Sequence, residues 1–289
     1  MEEKIRGRSR VVVSSDEDPD FTVVMPTVKS LMIEMLRGEE VLATGTAILV
    51  AEQNGTECIV VTNRHNVTGR NQETGAYLSK WAVEPDHLRI YFHSSDSIGK
   101  WKPITIPLYR ENSTPYWVEH PNLGPQADIV GLNMTWGSDI VCFPYYLAGD
   151  TDRIGMFLDP AESISVIGFP FGMASKLRFP IWATGFLAQE LSLVTKDNPT
   201  FLIDCRTRQG QSGSAVIAFR SGSYRTRSGN KVTSHIEPGK RVWEFLGLYS
   251  GRLNPESDLG RVWHVDAIEN LYRATIAEQQ HRQSEKVSI

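Results

Sequence analysis

The sequence predicts an all-β fold built from barrels, with a single helix at its C-terminal end. Strand-sized runs of β-branched and aliphatic residues recur at short spacing from Val23 to Ser250, and polar loops carrying Pro and Gly separate them. Helical periodicity occurs only after Asp266.

At 289 residues the chain is long enough for one large domain or two modest ones with substantial cores. It is 40% hydrophobic and 22% charged with a net charge of -4, a globular composition without the basic excess that marks nucleic acid as a partner. No apolar stretch approaches the roughly 20 residues that span a bilayer. The first residues also lack the apolar centre of a signal peptide, so the expectation is a cytoplasmic protein with no membrane partner. Cys58, Cys142 and Cys205 are scattered and odd in number, which predicts reduced thiols rather than a disulfide framework or a metal site.

Along the chain, residues 1–22 hold a basic cluster (Lys4, Arg6, Arg8, Arg10) and then an acidic one (Asp16, Glu17, Asp18, Asp20), which reads as a disordered leader. A first unit, 23–150, follows. Its strands are Leu31 to Leu36, Val41 to Ala51, Glu57 to Thr62, Leu88 to His93, Ile104 to Tyr109 and Asp128 to Met134, with Asn54-Gly55 as a hairpin turn. Residues 135–160 read as a connection. A second unit, 151–277, carries strands Ile164 to Phe169, Phe179 to Ala188, Thr200 to Asp204, Ala215 to Phe219 and Phe245 to Ser250. Between the last two, 221–241 is rich in Ser, Gly, Lys and Arg and reads as an exposed insertion. Asp266 with Glu269 forms a helix N-cap signature, and Ile268, Leu271, Tyr272 and Ile276 form an apolar face expected to pack on the second barrel. Residues 278–289 are expected to fray.

Three residues carry chemistry. Ser212, within Gly210-Gln211-Ser212-Gly213-Ser214, is a candidate nucleophile at a strand end. Gly210 has no side chain, so its N–H and that of Ser212 can converge on a developing oxyanion. Read alone, the same residues suit an ordinary Gly-Ser turn. His65 follows the apolar strand that ends at Thr62, where a side chain can project from a rigid element, although a surface histidine fits equally well. Asp128 opens the run Ile129-Val130-Gly131-Leu132. A carboxylate there needs a partner, for which an imidazole N–H is suited, and a turn-capping Asp is the alternative. Taken together, His65, Asp128 and Ser212 supply a base, its orienter and a nucleophile.

In that order, and with Ala43-Thr44-Gly45-Thr46-Ala47-Ile48, Val61-Thr62-Asn63-Arg64-His65, Gly168-Phe169-Pro170 and Gly247-Leu248-Tyr249-Ser250-Gly251 around them, the chain resembles the trypsin-like, chymotrypsin-fold serine peptidases. The closer likeness is to their bacterial-type branch, which includes the high-temperature-requirement proteases. The resemblance covers roughly residues 28 to 275. It implies two packed six-stranded antiparallel β-barrels with the active site in the cleft between them, a polypeptide substrate, and no metal or organic cofactor. By the family's spacing, Arg206 falls at the floor of the primary specificity pocket, where a buried cation would favour an acidic residue before the cut. The alternative is that Arg206 turns to solvent or pairs with an acid. Ser250 and Gly251 fall on the wall that pairs with substrate backbone. Asn66 and Ser214 depart from the residues common at those positions. Gln211 stands where the digestive enzymes carry Asp, which implies no zymogen switch of their kind.

The main alternative is a catalytically idle or partner-gated trypsin-fold module that binds peptides; a regulatory protein partner would suit either reading. An α/β-hydrolase esterase would need the order Ser, Asp, His and many more helices than this chain offers.

Overall fold

The computed structural model describes residues 9–13, 20–254 and 256–287. The chain is mostly β, with one long helix at its C-terminal end.

The expected leader is corrected in part. β1 (Arg10–Val13) and β2 (Phe21–Val24) pair antiparallel, and the alternation of β1 buries Val11 and Val13 while exposing Val12. The remainder of that segment, 1–8 and 14–19, lies outside the described residues.

The first unit contains β3 (Ser30–Arg37), β4 (Glu40–Ala51), β5 (Cys58–Thr62), a one-turn helix α1 (Arg64–Thr68), β6 (His87–Ser94), β7 (Trp101–Pro107), β8 (Trp117–Glu119) and β9 (Val130–Leu132). The short strands β10 (Ile140–Val141) and β11 (Tyr145–Tyr146) follow, inside the segment read as a connection. Together these strands form a nine-stranded sheet in the order β10-β6-β3-β4-β5-β9-β8, with β7 paired to β6 and β11 paired in parallel to β4. The closed six-stranded barrel expected here is thereby corrected. Strands as short as β8, β10 and β11 leave no hydrophobic period in the sequence, yet they extend the sheet.

The second unit contains β12 (Ser163–Gly168), β13 (Ile181–Leu187), β14 (Thr200–Asp204), β15 (Ala215–Ser228), β16 (Lys231–Arg252) and β17 (Leu259–His264), joined in a closed barrel in the order β12-β13-β14-β17-β16-β15. The presumed insertion at 221–241 is regular structure. β15 and β16 run on as a two-stranded hairpin from the Ser223–Ile236 pair to the Ser228–Lys231 pair, and Tyr224 stacks on His235 with ring centroids 4.6 Å apart.

Helix α2 (Val265–Val287) extends through most of the segment expected to fray. Glu269–Arg273 and Glu278–Arg282 pairs one helical turn apart support its exposed side. Its apolar face does not rest on the barrel alone. The Tyr272 hydroxyl donates to Glu57 O (2.8 Å) and Asn133 Nδ2 donates to Thr275 O (2.8 Å), so the helix ties the first sheet to the barrel. No described helix is long and apolar enough to cross a membrane.

One apolar cluster is common to both units: Ile48, Val50, Ile59 and Val61 from the sheet, Ala215, Ile217, Phe245 and Leu248 from the barrel, and Ile268 and Leu271 from α2. A buried ion pair borders it. Lys29 Nζ donates to Asp152 Oδ1 (2.7 Å) and Pro144 O (2.7 Å), while Trp243 Nε1 donates to Asp152 Oδ1 (2.6 Å) and the Tyr146 N–H to Oδ2 (2.8 Å). Burial lowers the Lys29 pKa, and Asp152 opposes that shift. Removing the acid strands a buried cation, so Asp152→Ala should cost about 3–5 kcal/mol in urea unfolding. Adding Lys29→Met should recover part of that loss; equal losses in the single and double variants would rule out charge as the cause.

His93 supplies a pH dependence. It is buried against Trp101 (ring centroids 4.0 Å) and donates from Nε2 to Val28 O (3.1 Å). Burial depresses its pKa from 6.5 to about 4, against the opposing bond to Val28. Native His93 therefore stays neutral where the unfolded chain takes up a proton. Its contribution, on the order of 3 kcal/mol, is present above pH 6.5 and is lost as pH falls toward 4. His93→Phe should lose less stability than wild type over that window in urea titrations; parallel pH profiles would exonerate His93.

Candidate active site

β5 ends at Thr62, and Asn63, still extended, begins the short helix that lifts His65 from the sheet. Asn63 Nδ2 donates to the backbone carbonyl of Asp128 (2.7 Å), which fixes the segment before β9 beside that helix. The Asp128 carboxylate then accepts from His65 twice, from its backbone N–H at Oδ1 (3.0 Å) and from ring Nδ1 at Oδ2 (2.7 Å). Because an ionised carboxylate only accepts, Nδ1 carries the ring proton and Nε2 is the free base. A third donor arrives from the barrel, the Ser250 hydroxyl, also at Oδ2 (2.6 Å).

Ser212 lies in the turn between β14 and β15. Gly210 and Gly213 adopt φ of +92° and +87°, and there is no room for side chains: a Cβ would stand 2.4 Å from Phe169 O at Gly210 and 2.0 Å from Thr46 O at Gly213. Among the described residues, neither the Gly210 N–H nor the Ser212 N–H donates a hydrogen bond. The peptides that carry them are nonetheless held. Gln209 O accepts from the Phe171 N–H (2.6 Å), and Gln211 O accepts from the Ser214 N–H (3.0 Å). Phe171 adopts a left-handed φ of +55°, unusual for an aromatic residue, on the loop that holds the first of these peptides.

Two residues to which the motif reading gave no role tie this turn to the sheet. The Thr46 hydroxyl donates to Gly210 O (2.9 Å) and accepts from the Phe169 N–H (3.2 Å), while the Thr46 N–H donates to Ser212 O (2.9 Å). Asn66 Nδ2 donates to Thr62 Oγ1 (3.0 Å) and to Ser212 O (3.2 Å). The available signal was a polar side chain within apolar surroundings, since both are buried.

The hydroxyl of Ser212 donates to Ser250 O (3.4 Å), and among the described residues no hydrogen bond links it to His65. Gln211 is buried and accepts from the Arg208 N–H (2.8 Å), closing the turn on itself. Gly251 pairs with Arg261 across β16 and β17. Arg206 corrects the sequence reading. Its side chain is 85% exposed and pairs at 3.8 Å with Asp258, so no buried cation waits for an acidic side chain and the acidic preference loses its basis. Position in a loop says where a backbone lies, not where a long side chain turns.

No family model matches the sequence, and no curated protein matches it at a significant level. Among solved structures, the serine endoprotease from Yersinia pestis is similar at 12% identity and a TM-score of 0.48 over 86% of this chain, which spans 64% of that one. The Rv3671c protease from M. tuberculosis is similar in its active form at 15% identity and a TM-score of 0.48, over 86% of this chain and 82% of that one. Its inactive form is similar at 14% identity and a TM-score of 0.45, over 85% and 88% of the two chains.

The Thr46 hydroxyl is the testable part of the clamp. Thr46→Val keeps the shape but leaves Gly210 O without its donor, and it should lower unfolding free energy by about 1–3 kcal/mol. Thr46→Ser should recover most of that; equal losses would assign the effect to the methyl group instead.

Proposed function

We propose that the chain is a serine endopeptidase that cleaves polypeptides through an acyl-enzyme. The observation that supports this best is the buried Asp128 carboxylate gripping His65 at both backbone and ring, across from a serine flanked by two unspent N–H groups. In this mechanism Ser212 Oγ attacks the scissile carbonyl carbon and passes its proton to His65 Nε2. Asp128 holds the Nδ1–H tautomer and stabilises the imidazolium. The oxyanion is held by the N–H groups of Gly210 and Ser212, one of which is typically worth on the order of 10²-fold to 10³-fold in rate. Nε2 then returns the proton to the departing amine, and water, activated by the same nitrogen, releases the acyl group from Ser212.

One observation favours a second reading, a gated or idle peptide-binding site. The Ser212 hydroxyl donates to Ser250 O rather than to His65, so attack requires that donor bond to be redirected to His65 Nε2. A substrate or a regulatory protein partner would supply that redirection.

Labelling with a fluorophosphonate, read by intact mass, tests both. One adduct on wild type, lost in Ser212→Ala and in His65→Ala, is the result expected of the endopeptidase. An adduct that survives in Ser212→Ala would overturn the assignment, and a folded wild type that takes no label would favour the gated or idle site.

A further inference from the structure

We infer that Tyr249 restricts the enzyme to small residues, alanine and glycine above all, immediately before the cut; this rests on the endopeptidase reading above. A scissile carbonyl whose oxygen meets the N–H groups of Gly210 and Ser212 has its carbon at Ser212 Oγ. On the endopeptidase reading, the side chain on that residue would enter between two stretches of chain. One is the segment from Cys205 to Gln209 that leads into Gly210. The other is the end of β16, whose Ser250 O lies 3.4 Å from Ser212 Oγ. The space between them is the end of the barrel interior.

The Tyr249 ring fills that space. It is 2% exposed and belongs to the barrel's apolar cluster with Cys205, Ile203 and Val262. Its hydroxyl hydrogen-bonds to the hydroxyl of Thr207, itself buried, so the pair reaches from one wall to the other. On the facing strand β17, Gly260 makes room for it: a Cβ there would stand 2.6 Å from Tyr249 Cε2. A leucine or phenylalanine side chain entering from the cleft would have to displace a ring packed at core density. An acidic one would find neither space nor a counter-charge, because Arg206 turns outward and the Arg208 guanidinium donates to Thr207 O (2.8 Å) with Asp258 at 3.9 Å. A methyl group or a hydrogen needs no such room.

The test is digestion of a peptide library by the full chain, with cleavage sites sequenced by mass spectrometry. Wild type should cut after alanine and glycine at least about tenfold more often than after leucine, phenylalanine, glutamate or arginine, corrected for their abundance. Tyr249→Val, which opens the space and puts a strand-favouring β-branched residue in its place, should raise cleavage after leucine and phenylalanine relative to alanine at least about tenfold. Tyr249→Phe should leave the wild-type preference intact. Should Tyr249→Val not fold, the wild-type profile still decides, since cleavage after large residues as often as after small ones overturns the inference. A library left untouched by an enzyme whose Ser212 takes the fluorophosphonate also overturns it. A wild type that takes no label removes the endopeptidase reading itself, and the size restriction falls with it.

Discussion

The carboxylate of Asp128 is buried, and a buried charge is tolerable only when donors meet its lone pairs. It has three: the backbone and ring N–H groups of His65, from the first sheet, and the Ser250 hydroxyl, from the barrel. Satisfying one charge therefore fixes the relation of the two units where the site lies. The orientation of the His65 ring, the tautomer that frees Nε2, and the position of Ser250 O beside Ser212 all follow from it. Deleting any one donor would leave the others with a charge they satisfy only in part, so the three act as a set.

The rest of the seam is rigid for a different reason. An apolar cluster drawn from sheet, barrel and α2 leaves little freedom for one unit to slide on the other, since close-packed surfaces admit few alternative arrangements. At its polar border, Lys29 and Asp152 add a pair whose separation would strand a charge. At the site end, Thr46 and Asn66 hold the carbonyls of Gly210 and Ser212.

The positions of His65, Asp128 and Ser212 were legible in the sequence because each lies close to the end of an apolar run, and a run that must be buried fixes where its ends emerge. Arg206 was left between two readings, a pocket floor and an outward turn, because sequence spacing locates a backbone but not the direction of a long, solvent-seeking side chain. Residues 221–241 and 278–287 were misread for another reason. Their Ser, Lys, Arg and Glu content describes a solvated surface, whereas the pairing of β15 with β16 and the ion pairs of α2 depend on neighbours across a strand or along a helix turn. Val11 and Val13 show the reverse limit. Two apolar residues in a charged leader form too short a period to register, but in three dimensions they complete a core built by residues far along the chain. Thr46 and Asn66 could be suspected only as polar residues in apolar surroundings, and the carbonyls they hold at the turn, Gly210 O and Ser212 O, are contributed by the other unit.

Tyr249 joins stability to selectivity in one side chain. Its ring belongs to the barrel's apolar cluster, and its hydroxyl closes the gap to Thr207. Burial pushes that phenol up to about 12, so it remains neutral and offers no charge to a substrate near neutral pH. Shrinking Tyr249 to admit a larger substrate side chain removes buried ring area and opens a cavity, a change that typically costs about 3–5 kcal/mol for an aromatic residue truncated to alanine. That is a large share of the marginal stability of a domain. A wider pocket would thus need compensating packing, for which the nearest place is Gly260, where a side chain could take over space that the ring now occupies. Substrate size and barrel packing are consequently one constraint at this position, and they would be expected to change together.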